Sequence, residues 1–117
     1  MKIMIVDDHK GIRLVLKKHL EIAISEPFEV MECESGEETV KEYKLQHPDC
    51  VLMDIELTGM NGLQAAKIIL DYDSEAKIII VTSHDIPTMR RKAGELPVLG
   101  FVSKENLFEL TPFLSFM

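Results

Sequence analysis

Residues able to do chemistry together stand at five positions of this chain: the acids Asp7, Asp8 and Asp54, the hydroxyl of Thr82 and the ammonium of Lys104. Each stands at the end of a short apolar run. Asp7-Asp8 follows Ile3-Met4-Ile5-Val6, Asp54 follows Val51-Leu52-Met53, Thr82-Ser83 closes Ile78-Ile79-Ile80-Val81, and Ser103-Lys104 closes residues 98–102. Three carboxylates on one rim repel one another, so a divalent cation or the Lys104 ammonium must compensate them. Hard carboxylate oxygens favour Mg²⁺, which keeps waters and leaves positions open for phosphate oxygens. An aspartate beside such a cation can act as a nucleophile and form an acyl phosphate, with hydroxyl, ammonium and metal partnering the phosphoryl oxygens. Taken singly, each residue has a plainer reading: a turn acid, a cap, a solvated lysine. The conjunction does not.

The elements needed to bring them together are legible. Short unbroken apolar runs are the pattern of parallel strands covered on both faces by helices. Residues 28–33, broken by glutamates, suit an edge strand, and residues 98–102 a fifth strand with Gly100 inside it. Between the runs the period becomes helical. Ile12, Val15, Leu16, Leu20 and Ala23 make one apolar stripe. Ser35-x-x-Glu38 reads as a capping box for a helix ended by His47-Pro48. Asn61 caps a third helix that buries Leu63, Ala66, Ile69 and Leu70. Residues 87–94 make a polar fourth helix with Pro87 in its first turn. In residues 105–117, Thr111-Pro112 reads as a fresh helix start. Strand and helix alternate five times, so the fold class is α/β, an open sheet with helices on both faces. Ligands of such sheets bind beyond the carboxyl ends of the strands.

The chain has 117 residues, a length for one domain. Thirteen Lys and Arg against 20 Asp and Glu give a formal charge of −7, which opposes contact with nucleic acid phosphates or an anionic membrane. The cysteines Cys33 and Cys50 have no metal-ligand spacing. The start carries charge too early for a signal peptide, and no apolar run approaches the ~20 residues of a membrane span. A cytoplasmic single domain is expected.

In order along the chain, IVDDH, VLMDI followed by Gly59-Met60-Asn61-Gly62, IIIVTSHD and GFVSKEN together resemble the receiver domain of bacterial two-component response regulators. The likeness spans residues 3–114 and a size similar to the chemotaxis response regulator. It implies a flavodoxin-like sheet of order 2-1-3-4-5, one receiver domain over residues 1–117, and no output domain in this chain. By resemblance Asp54 is the phosphoacceptor. Asp8 binds Mg²⁺ directly, Asp7 mostly through water, and Glu56 through its backbone carbonyl. Thr82 and Lys104 take phosphoryl oxygens, and Phe101 stands at the switch-aromatic position. The implied partner is a sensor histidine kinase or phosphotransfer protein, with a homodimer through the fourth helix, fifth strand and fifth helix as a further expectation.

Departures from the family pattern are Thr58 where Pro is usual, Glu105 where Pro often follows the lysine, and Phe101 in place of the common Tyr. Glu56 adds an acid that strengthens metal binding or repels a phosphodonor. His9 and His84-Asp85 read as loop residues near the site. Met89, Arg90 and Arg91 fall on the fourth helix, the arginines as surface charge. The apolar tail Phe113, Leu114, Phe116 and Met117 reads as core packing, or as an interface. Alternatives to the phosphorylation switch are a phosphorylation-independent docking module and an Mg²⁺-dependent aspartyl phosphohydrolase, for whose cap the chain has little length.

Overall fold

The computed structural model describes residues 1–114. In chain order the elements are β1 (Lys2–Val6), α1 (Lys10–Ala23), β2 (Glu29–Cys33), α2 (Gly36–Gln46), β3 (Cys50–Met53), α3 (Gly62–Tyr72), β4 (Ile78–Thr82), α4 (Ile86–Ala93), β5 (Gly100–Ser103) and α5 (Thr111–Leu114), with a 3-10 turn at Leu107–Leu110 before α5. All strand pairs are parallel and the order is β2-β1-β3-β4-β5. The glutamate-broken strand is indeed an edge.

Alternate residues of the strands supply two cores. Met4, Val6, Val51, Met53, Ile78, Ile80 and Phe101 face α2, α3 and α4. Ile3, Ile5, Cys50, Leu52, Ile79, Val81 and Val102 face Leu16 and Leu20 of α1 and Leu110 and Leu114 near the end of the described chain. Central strands buried on both sides must be apolar throughout, which is why the runs carry no alternation.

Helix starts follow their caps. Asn61 and Gln64 form a full capping box on α3, and Asp85 caps α4 through the Thr88 amide at 2.9 Å. At α2 only half the expected box forms. Ser35 Oγ accepts from the Glu38 amide at 3.2 Å, but the Glu38 carboxylate accepts from the Glu34 amide at 2.8 Å instead of from Ser35. His47 ends α2 in the left-handed region, φ 47°.

Elsewhere the structure corrects the sequence expectation. On α1 Val15 is 51% exposed, while Arg13 is buried among the apolar stripe. β5 begins at Gly100, because the Val98 amide is used in a turn to the Leu96 carbonyl at 2.8 Å. Leu63 is only partly buried, its place in the α3 core taken by Ala65. Thr111 does begin a helix, and Leu114 is core; Phe116 and Met117 lie outside the described residues.

One glycine fixes how closely α3 approaches the loop after β3. The Gly62 amide bonds the Ile55 carbonyl at 2.9 Å. A Cβ there would lie 2.0 Å from the Asp54 carbonyl oxygen, so backbone must move. Gly62→Ala is expected to lower unfolding free energy by about 3 kcal/mol, the upper part of the overpacking range. An unshifted urea midpoint would show that this loop yields freely.

Candidate functional site

The carboxyl ends of the strands gather the expected residues through backbone bonds that continue past the strands themselves. The Asp7 amide donates to the Cys33 carbonyl at 3.1 Å, the Asp54 amide to Val6 at 2.9 Å, and the Lys104 amide to Thr82 at 2.8 Å. Each residue is thereby locked to the neighbouring strand, and the distances between their side chains follow from sheet spacing.

Lys104 Nζ lies 2.9 Å from Asp7 Oδ2 and 3.2 Å from Asp54 Oδ1. The Asp7 and Asp54 side chains are 1% and 4% exposed and the lysine 15%, so these charges meet largely away from water. Burial first, and then the Asp7 charge, push the Asp54 carboxyl above its ordinary range, against the opposing pull of Lys104 and the Glu56 amide. Burial disfavours the Lys104 ammonium, yet its bonds and charge contacts with Asp7 and Asp54 prevail and raise its pKa.

Asp7 Oδ1 accepts from the His9 amide at 2.9 Å. His9 Nδ1 rests 3.2 Å from that oxygen and 2.9 Å from Asp8 Oδ1. Of the shielded carboxylate oxygens, Asp7 Oδ2 meets Lys104 and Asp8 Oδ1 meets His9 as ion pairs, whereas Asp54 Oδ2 has neither a hydrogen bond nor an ion pair. Shielded carboxylate oxygens without donors are unusual, and call for an ion. Hard oxygens from adjacent acids fit a divalent cation of the Mg²⁺ type.

Thr82 is fully buried, and its Oγ1 accepts from the His84 amide at 3.0 Å, which leaves the hydroxyl hydrogen free to donate. Phe101 is 9% exposed beside α4, with the Arg90 guanidinium 5.2 Å above its ring. Met89 is core, and Arg91 bonds Thr88. A groove of about 460 Å³ lined by Leu63, Lys67, Lys92 and Leu96 lies between α3 and α4 and includes none of the acid-site residues.

Comparison with known proteins shows the family. The family model of the response regulator receiver domain matches residues 3–111. The chain belongs to the response regulator receiver family. This receiver is 40% identical over 104 residues to the chemotaxis protein CheY of Thermotoga maritima, covering 88% of this chain and 84% of that one. To CheY of Bacillus subtilis it is 39% identical over 104 residues, with 88% and 84% covered. Among solved structures it is similar to the response regulator protein TrrA of Thermotoga maritima in complex with Mg²⁺-BeF. The TM-score is 0.82 at 32% identity, covering 97% and 96% of the two chains. It is a receiver homologous to response regulators of two-component signalling, whose domains serve as phosphoacceptor switches and meet histidine kinases or phosphotransfer proteins.

Within this receiver the departures acquire physical meaning. Thr58, at the usual proline position, forms a parallel bridge with Ser35, and the Met60 amide donates to Glu37 at 2.8 Å. Gly59 between them takes φ 79°, which a side chain would strain. The loop is thus held by α2 instead of by a proline ring. Glu56 and His84, read separately in the sequence, meet at 2.5 Å and join the loops after β3 and β4. Sequence reasoning did not find that pair, nor Arg13, because nothing in residue spacing tells which loop side chains meet.

Proposed function

We propose that this receiver is a switch in which Asp54 takes a phosphoryl group from a phosphohistidine of a sensor histidine kinase or phosphotransfer protein. The observation that carries the reading is Lys104 set between the buried carboxylates of Asp7 and Asp54, with Asp54 Oδ2 shielded from solvent and left without a donor. In the transfer an Asp54 oxygen attacks phosphorus, the phosphorus–nitrogen bond of the phosphohistidine breaks, and the oxygen–phosphorus bond of an acyl phosphate forms. The leaving imidazole takes any proton it needs from solvent. Positioning and charge do the rest.

The carboxylates of Asp7, Asp8 and Asp54 and the Glu56 backbone carbonyl would hold Mg²⁺, which when bound supplies positive charge toward the phosphoryl oxygens. Lys104 then pairs with one phosphoryl oxygen in place of the Asp54 oxygen it now neighbours. Thr82, whose hydrogen is unspent, donates to another. Turning toward Asp54 stretches its bond with the His84 amide, so the loop after β4 and helix α4 adjust. Phe101, beneath the Arg90 guanidinium of α4, transmits the change to the face built by α4, β5 and α5. A protein partner, or a second copy of the chain, reads that face. A tenfold population shift needs only about 1.4 kcal/mol of differential interaction, within reach of one charge-assisted hydrogen bond. The reading assigns no turnover of a free metabolite, and places the domain in the cytoplasm without direct nucleic acid or membrane contact. Among the described residues no helix is long and apolar enough to cross a membrane.

Intact-protein mass spectrometry after incubation with acetyl phosphate tests the chemistry. One phosphoryl adduct is expected, requiring both Mg²⁺ and Asp54 and lost in Asp54→Asn. Should neither acetyl phosphate nor any histidine kinase label the protein, the docking-module reading replaces this one.

A further inference from the structure

Arg13 is a cation buried on α1, 7% exposed, that the chemistry above leaves unused. Its Nη1 donates to the Asp7 carbonyl oxygen at 2.6 Å, its Nε to Glu32 at 3.0 Å and its Nη2 to Glu34 at 3.3 Å. We propose that Arg13 is a positioning residue that orients the Asp7–Asp8 peptide and thereby sets the affinity of the acid site for its divalent cation. This rests on the reading of that site as an Mg²⁺ site.

Where β1 ends, the Asp7 amide is still held by the Cys33 carbonyl at 3.1 Å, but its own carbonyl has left the sheet ladder. A buried carbonyl needs a donor, and a guanidinium gives a short, charge-assisted one. That carbonyl belongs to the peptide joining Asp7 to Asp8. Fixing its plane fixes the direction in which both carboxylates leave the chain. Asp7 is then held at three points: its amide by β2, its carbonyl by Arg13, and its carboxylate by the His9 amide and Lys104.

Charge supports the same role. A bare guanidinium this close to the acids would repel an entering cation. Glu32 and Glu34 face it from the edge strand β2 and its end, with Lys17 also on Glu32 at 3.2 Å. Burial works against ionisation of Glu32, but its bonds to Arg13 and Lys17 prevail and lower its pKa, so Glu32 stays a carboxylate at neutral pH. With its charge matched locally, Arg13 contributes orientation more than potential. A lysine has one point of attachment and cannot hold the carbonyl and both glutamates at once.

Calorimetric titration of Mg²⁺ into wild type, Arg13→Met, Arg13→Lys and Leu16→Ala tests this. Leu16, buried one turn further on α1 in the apolar core beneath it, has a hydrocarbon side chain that makes no hydrogen bond, so its variant reports loss of packing alone. Arg13→Met is expected to bind Mg²⁺ roughly ten- to a hundredfold more weakly, as when an outer partner of a metal ligand is removed. Arg13→Lys should fall between it and wild type, and serves if the Met variant does not fold. Labelling by acetyl phosphate should recover near-wild-type rate at saturating Mg²⁺, the defect lying in the Mg²⁺ needed for half-maximal rate. Wild-type Mg²⁺ binding with Arg13 variants weakened no more than Leu16→Ala overturns the role of Arg13 alone. Absence of Mg²⁺ binding by wild type overturns the metal reading and this inference together.

Discussion

Asp54→Asn is expected to be more stable than wild type in metal-free buffer at neutral pH, while accepting no phosphoryl group. The acid is 4% exposed, and both burial and the neighbouring Asp7 charge disfavour its ionised form. An amide of the same shape carries no charge to bury, so a gain in unfolding free energy is expected. The pH dependence has a definite sign. A carboxyl whose folded pKa lies above its unfolded value adds stability that is complete below the unfolded value, about 3.9. That contribution is lost as pH rises through the folded value. Asparagine does not titrate there. The advantage of Asp54→Asn should therefore widen from about pH 4 upward, in urea unfolding with EDTA present. Adding Mg²⁺ should stabilise wild type more and narrow the gap. A variant less stable than wild type at neutral pH in EDTA would mean that the Lys104 contact outweighs the burial of the acid.

The same physics explains which features the sequence made legible. Strand ends could be read because buried parallel strands are forced to be apolar throughout, so the first polar residue after each run marks the rim. Asp7, Asp54 and Thr82 announce themselves this way, and Lys104 follows the marker Ser103 by one residue. Arg13 did not, since an arginine among Lys10, Lys17 and Lys18 reads as solvated surface, and only the fold shows Glu32 and Glu34 facing it. Val15 misled for the opposite reason: it fits the helical stripe, yet it stands half exposed on α1. His9 and the Glu56–His84 pair depend on loop conformations, where no periodicity operates. Thr58 could be seen as a departure from the family, whereas its bridge to Ser35 requires knowing that α2 starts beside that loop.

Lys104→Met should have the largest effect of any single change at the site, on both stability and chemistry. The ammonium is the one cation with ion pairs to both Asp7 and Asp54 among the described residues, and it is 15% exposed. Removing one partner from a buried charge group leaves the others uncompensated, which typically costs about 3–5 kcal/mol. Here two carboxylates are left facing each other. The loss should be largest at neutral pH in EDTA and smaller in mild acid, where one of the pair takes up a proton. Because the acids raise the Lys104 pKa, its stabilising contribution is present below the unfolded lysine value and fades only as pH rises through the higher folded one. Two further measurements separate this from simple loss of packing. In an Asp54→Asn background the cost of Lys104→Met should shrink by at least about 1 kcal/mol, since contacting charges couple in double-mutant cycles. Mg²⁺ should stabilise Lys104→Met more than wild type, because a cation then enters a site with two uncompensated acids. Labelling by acetyl phosphate at saturating Mg²⁺ should nonetheless fall about a hundredfold, the usual loss when one charge-stabilising donor is removed. If the cycle shows no coupling, Lys104 is a stem packed at the rim, and the positive charge that meets the phosphoryl group must come from elsewhere.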